Sequence, residues 1–120
     1  MTIQSYRDLR VWQSAMDLSV ACYRLSTVLP KDELFGLVSQ IRRASVSVPA
    51  NIAEGYGRDN KGSYIQFLRI AQGSLKELET HWLLANRIGM VSEADIAPLL
   101  SSAEMLGKML RSLIRSLEAS

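Results

Sequence analysis

Between Gln40 and Arg58 the chain reads QIRRASVSVPANIAEGYGR, and two stripes pass through it at steps of three and four. One is apolar: Leu37, Ile41, Ala44, Val48 and Ile52. The other is polar: Gln40, Arg43, Ser47, Asn51, Glu54 and Arg58. Residues so spaced share one face of a helix, whereas a half-buried strand would alternate every two residues. Pro49 sits inside both patterns and shifts the phase of neither. A proline offers no N–H to the carbonyl four residues back, here that of Ser45, and its ring crowds that carbonyl. The stretch therefore predicts a helix that continues through a kink at 45–49, with the Ser45 or Ser47 hydroxyl or a water serving the freed carbonyl. A break, with Pro49 opening a new short helix, is the competing reading, and the preserved phase argues against it.

Three further segments carry the same signature. Val11, Ala15, Leu18, Cys22, Leu25 and Leu29 predict a first helix over about 8–28, opened by Ser5-x-x-Asp8 in the manner of a capping box and closed before Pro30. Asp32 is placed as N-cap of the second helix, over about 33–56, with Glu33 in its first turn. Gly55 and Gly57 are expected to end that helix through the left-handed conformation that glycine accepts at a C-cap. The third helix, about 61–88, starts from Asp59 or Asn60 and carries two stripes, one through Tyr64, Leu68, Ala71, Leu75, Leu78, Trp82 and Ala85, the other through Phe67, Ile70, Ser74, Glu77, His81, Leu84 and Ile88. Gly73 lies in its middle, where glycine costs up to ~1 kcal/mol relative to alanine, and a close helix–helix approach there is the expected compensation.

The fourth helix, about 93–117, opens at Ser92-x-x-Asp95 and repeats Ile96, Leu99, Ala103, Leu106, Leu110, Leu113 and Leu117, with Pro98 in its early turns. A mean spacing near 3.5 predicts left-handed, near-parallel packing. Short connections make neighbours antiparallel. The expected fold is all-α: one domain over residues 1–120, an antiparallel up-down-up-down left-handed four-helix bundle whose second helix is kinked at Pro49. A chain of 120 residues can build one such core without metal or disulfide staples.

Composition and motifs exclude more functions than they assign. The single cysteine, Cys22, lies on an apolar stripe and has no internal partner, which fits a reducing compartment. Arg7, Asp8, Arg10 and Asp17 interrupt the first twenty residues, and no later run approaches the ~18 uncharged apolar residues of a membrane span, so a cytoplasmic protein with no membrane contact is expected. A diiron bundle needs two Glu-x-x-His pairs, whereas His81 is the lone histidine and Glu77 stands four residues before it, as a partly exposed or hydrogen-bonded pair. No Gly-x-Ser-x-Gly elbow is present, and Gly55 and Gly57 follow a helix, not a strand, so they form no phosphate loop. No catalytic residue, metal or cofactor is expected, and the chain reads as something other than an enzyme.

Two features remain as functional candidates. The α-helical polar stripe is either a buried network, in which Arg43, Asn51 and Glu54 pair with one another or across chains, or a ridge facing a ligand. The net charge of +2, from 14 basic and 12 acidic groups, does not by itself demand a nucleic-acid partner. The residues that would serve one are Arg42, Arg43, Arg58, Lys61 and Arg69, with Tyr56 and Tyr64 as stacking planes. The apolar faces of the second and third helices exceed what one core consumes, which predicts more than one subunit.

QIRRASVSVPANIAEGYGR, followed by Tyr64-x-x-Phe67-Leu68-x-Ile70-Ala71-x-Gly73-Ser74-Leu75-x-Glu77-Leu78-Glu79, resembles the 23S rRNA-intervening-sequence family of four-helix bundle proteins. Tyr6-Arg7-Asp8-Leu9-x-Val11-Trp12-x-x-Ala15 and Leu29-Pro30 match as well, so the likeness covers nearly the whole chain; Pro98 departs from it. The resemblance implies a left-handed bundle assembled as a homopentamer. Members were first noticed as reading frames inside intervening sequences of large ribosomal RNA genes. A similar protein, the accessory subunit of diversity-generating retroelements, associates with a reverse transcriptase and RNA. By that resemblance the partners are further copies of the chain, RNA, or an RNA-binding protein such as a reverse transcriptase. The motif maps onto Arg43, Ser47, Pro49, Asn51, Glu54, Gly55, Gly73, Ser74 and Glu77 as structural or contact positions, and brings no active site with it.

Overall fold

The stripes close on one another as four helices in a computed structural model that describes residues 2–120: α1 (Arg10–Ser26), α2 (Leu37–Tyr56), α3 (Lys61–Arg87) and α4 (Glu93–Ala119). Met1, the first residue of the expected domain, lies outside the described residues. Each helix packs against the next and α4 returns to α1, so α1 and α3, like α2 and α4, are diagonal to one another. Successive pairs are antiparallel. Ser19 reaches back to Ser45 while Ser26 meets Arg42; Gly55 lies against Phe67 while Ser47 meets Ser74; Gly107 lies over Leu75 while Glu118 meets Arg69. The four helices form a four-helix bundle. Among the described residues none of them is long and apolar enough to cross a membrane.

The core is the set of residues that the spacing selects. Val11, Ala15, Leu18 and Cys22 from α1 meet Ile41, Ala44, Val48 and Ile52 from α2, and Leu68, Ala71, Leu75, Leu78 and Trp82 from α3 meet Ile96, Leu99, Ala103, Leu106 and Leu110 from α4. Towards the end of α4 the stripe drifts. Ile114 is buried while Leu113 and Leu117 are partly so, because a 3.6-residue turn does not keep step with a seven-residue repeat. Trp82 Nε1 donates to Cys22 Sγ at 3.4 Å across the diagonal. Burial pushes the Cys22 thiol up to about 11, the Trp82 hydrogen bond opposing the shift, so the sulfur is protonated and a poor nucleophile at neutral pH.

Pro49 is carried inside a continuous α2, with no break at that point. The carbonyl it leaves free is served from the neighbouring helix. Ser19 Oγ of α1 donates to the Ser45 carbonyl oxygen at 2.7 Å, in a buried setting. The expected local donors are occupied otherwise: Ser45 Oγ turns back to the Arg42 carbonyl, and Ser47 Oγ meets Ser74.

The helix ends correct several expectations. Ser5 and Asp8 do form a capping box, but it closes a 3-10 turn at Tyr6–Asp8; Leu9 is extended, and α1 begins only at Arg10. Residues Lys31–Glu33 form another 3-10 turn, so α2 starts at Leu37 with Gly36, not Asp32, as its N-cap. The cap is supplied by Glu33, whose Oε1 accepts from the Leu37 N–H at 3.0 Å and also answers the positive end of the helix dipole. Asn60 and Ser92 cap α3 and α4 through their side chains.

The glycines also exchange roles. Gly57 ends α2 with φ −75°, an ordinary helical value, and Gly55 is still helical. The left-handed residue is Gly89, with φ +86°. There the Met90 N–H reaches the Ala85 carbonyl and the Gly89 N–H that of Asn86, the paired bonds of a Schellman ending. The close approach expected at Gly73 is found instead at Gly55, where a Cβ would lie 2.7 Å from Phe67 Cβ. Nothing stands within 4 Å of a Cβ at Gly73. Gly73→Ala is therefore expected to stabilise the fold by up to ~1 kcal/mol, through helix propensity alone. A urea-denaturation midpoint below that of the parent protein would contradict this.

Candidate interaction surfaces

The polar stripe of α2 divides into a bonded middle and solvated ends. Ser47 Oγ and Ser74 Oγ are 2.8 Å apart across the α2–α3 seam, and Asn51 Nδ2 donates to the Ser47 carbonyl at 2.8 Å and to Ser47 Oγ at 3.0 Å. These three residues are half-buried, whereas Gln40, Arg43, Glu54 and Arg58 are exposed. Glu54 meets Arg58 at 3.6 Å. Arg43 and Glu54 lie on one face, three turns apart, and do not pair; being solvated, they have no need to. Glu77 is exposed and His81 half-buried, with no hydrogen bond between them among the described residues. Among the described residues no group of three or more His, Cys, Asp or Glu side chains could hold a metal ion.

The five basic residues singled out in the sequence fall into two groups. Arg42 is bound to α1: its Nε donates to Ser26 Oγ at 3.0 Å and its guanidinium lies 5.0 Å over the Tyr23 ring. Arg43, beside it in sequence, is exposed. Both stand about 24 Å along α2 from Arg58, at about 1.5 Å per residue. Arg58 lies 4.9 Å over the Phe67 ring, Lys61 donates to the Ser120 carbonyl, and Arg69 meets Glu118 at 2.7 Å. The last three thus sit near the start of α3, and the first two do not join them. Tyr56 and Tyr64 face each other edge-on, ring centroids 6.0 Å apart, rather than offering two open planes. Burial, then the neighbouring Tyr56, raises the Tyr64 phenol above its usual range.

Of these five, only Arg69 lines an open groove of about 990 Å³ between α3 and α4. Lys76, Lys108, Arg111 and Arg115 join it there, with Glu79, Glu104 and Glu118. Each carboxylate pairs with one cation: Glu118 with Arg69, Glu79 with Lys76 at 3.1 Å, and Glu104 with Lys108 at 3.7 Å. Arg111 and Arg115 have no carboxylate within 4.0 Å among the described residues. Gly73 and Gly107 keep the lining low between the two rows of side chains. A signal for this groove was present in the sequence, since Lys108, Arg111 and Arg115 recur at steps of three and four, and Arg69 and Lys76 are seven apart.

On the opposite lateral face, between α1 and α2, lies an apolar hollow of about 440 Å³ lined by Met16, Val20, Tyr23, Val46 and Pro49, with Arg24 and Ser19 at its edge. Its first four apolar residues are among the exposed large hydrophobics of the chain. The bundle therefore has an apolar side and a charged side, back to back.

The family model of the 23S rRNA-intervening sequence protein matches residues 7–112, which takes in all of α1, α2 and α3 and most of α4. The chain belongs to that family. A solved structure from Bacteroides thetaiotaomicron, described as a protein with unknown function from the S23 ribosomal protein family, has the same fold: the TM-score is 0.81 at 24% identity, over 87% of this chain and 97% of that one. No curated protein matches the sequence.

Proposed function

We propose that the protein is a non-enzymatic scaffold. In this reading left-handed bundles, bent at Pro49, associate into a homo-oligomer, five copies by the family resemblance, and present cationic grooves to structured RNA or to an RNA–protein complex such as one built on a reverse transcriptase. The observation that carries the reading is where the charge lies. The α3–α4 groove holds five of the 14 basic groups and three of the 12 acidic ones, which leaves nine of each on the rest of the chain. The whole excess of +2 is thus gathered in one groove. Because that groove is back to back with the apolar hollow, association through α1 and α2 leaves it open. Repetition around an oligomer would multiply contacts that are weak singly. Arg58 and Lys61 extend the basic surface past Arg69, and Arg42 and Arg43 form a separate, smaller group on α2.

Fluorescence anisotropy with a labelled structured RNA tests the reading. Binding is expected at low salt and should weaken steeply as salt rises, because each neutralised phosphate releases counterions. Arg111→Ala/Arg115→Ala should reduce the log–log salt slope by about 1.4–1.8, taking ~0.7 per phosphate contact on a single strand and ~0.9 on a duplex. Absence of binding at low salt overturns the RNA reading. The apolar hollow favours a second one, a scaffold for proteins with no nucleic-acid contact. Partners that survive nuclease treatment in a pull-down would decide for it.

A further inference from the structure

Phe35 is 93% exposed, the most exposed large hydrophobic among the described residues. It stands between the 3-10 turn at Lys31–Glu33 and the start of α2, next to Leu34, which is also exposed. No contact within the bundle accounts for an aromatic ring held in water. The same molecule has an unfilled apolar site, the α1–α2 hollow, whose about 440 Å³ compares with the about 150 Å³ in which a benzene ring is held by a closed apolar cavity. Phe35 cannot fill its own hollow. Val46 and Pro49 are 11 and 14 residues further on, about 16–21 Å along α2.

We propose that Phe35 of one copy docks in the α1–α2 hollow of another, between Met16, Val20, Tyr23, Val46 and Pro49 of that copy. The charges around the two surfaces agree with this pairing. Arg24 lies at the edge of the hollow and is exposed, with no ion pair among the described residues. Asp32, three residues before Phe35, is exposed and likewise unpaired among the described residues, while Glu33 is engaged in capping α2. A docked Phe35 brings Asp32 towards the partner's Arg24. The knob and the hollow are separate patches of one chain, so each copy donates through one and accepts through the other. Such head-to-tail contacts close into a ring when the rotation between copies permits, and otherwise propagate as an open helical array. Docking on this side also covers Tyr23 and with it the ring on which Arg42 lies, and it leaves the α3–α4 groove untouched.

The inference rests on the proposal that the protein self-associates, and the experiment separates the two. Light scattering coupled to size exclusion gives the mass of the parent protein and of Phe35→Ala across a range of concentrations. The expected result is an oligomeric parent and a variant whose dissociation constant is raised about ten- to a hundredfold, as loss of one buried aromatic ring implies. Circular dichroism should show unchanged helicity, since Phe35 supports nothing in its own bundle. Val20→Asp attacks the same contact from the hollow, on a residue that is itself exposed, and should act alike. Asp32→Arg should weaken association, and Asp32→Arg with Arg24→Asp should recover it. A parent that assembles equally with and without Phe35 overturns the docking and spares self-association. A parent that runs at 13.4 kDa at every concentration overturns both.

Discussion

Gly55→Ala should destabilise the bundle by about 1–3 kcal/mol, the usual cost of forcing extra volume into a packed seam. The added Cβ would sit 2.7 Å from Phe67 Cβ and 3.2 Å from both the Tyr64 carbonyl oxygen and Tyr64 Cδ1. Carbon atoms in ordinary contact are about 3.5–4.0 Å apart. Two of the obstructing atoms, a backbone oxygen and a Cβ, cannot swing aside by changing a rotamer. Relief requires α2 and α3 to part where the chain passes from one to the other through Gly57–Asn60, and this is the most extensive helix contact in the bundle. The Arg58–Phe67 stacking at 4.9 Å would be disturbed with it. Gly57→Ala is the matched control. Gly57 has φ −75°, and its nearest neighbours to an added Cβ are 3.5 Å away, so its unfolding free energy should stay within about 0.5 kcal/mol of the parent. Urea denaturation at one fixed protein concentration reads both changes, because association adds its own concentration-dependent term. Equal midpoints for the two variants would refute the argument.

Gly55 also shows what the sequence could and could not announce. Spacing identified the helices and nearly every core residue, because burial of one face imposes a period that survives without neighbours. It could not say which glycine marks a close approach. Gly55, Gly57, Gly73 and Gly89 look alike in a string, yet one adjoins Phe67, one ends α2 at an ordinary φ, one faces open space and one carries the positive φ. Those roles depend on how far each helix is rotated towards its neighbour, which is a property of pairs. The start of α2 differs from the expected one for a similar reason. Asp32 reads as the N-cap and Glu33 as an acid of the first turn, and only the turn geometry shows that Glu33 reaches forward to the Leu37 N–H. The charged groove was legible in principle: its α4 row is a local pattern, but its α3 row lies some forty residues earlier, and nothing in the chain order says that the two rows face each other. Arg42 and Arg58 stand out in the sequence because they flank the most distinctive motif. One is bound to α1, and the other is paired with Glu54.

Ser19→Ala should cost about 1–3 kcal/mol, the penalty for leaving a buried acceptor without a donor, and most of that cost should disappear when Pro49 is also replaced by alanine. The dependence originates at the proline. Inside α2 it removes the N–H that would serve the Ser45 carbonyl, and the Ser19 hydroxyl supplies the missing donor from α1 at 2.7 Å. Ser45 is buried, which raises the cost of leaving its carbonyl without a donor. An alanine at 49 restores the backbone donor within α2, after which the carbonyl no longer depends on α1. The two substitutions should therefore couple by about 0.5–3 kcal/mol in a double-mutant cycle, whereas independent sites would add to within about 0.5 kcal/mol. Additivity would mean that the Ser19 hydroxyl is incidental and that α2 accommodates its proline by other means. Coupling would make Ser19 and Pro49 halves of one device, in which a helix broken on its own is completed only when the correct neighbour lies against it. That would tie the register of α1 on α2, and with it the apolar hollow between them, to a single hydrogen bond.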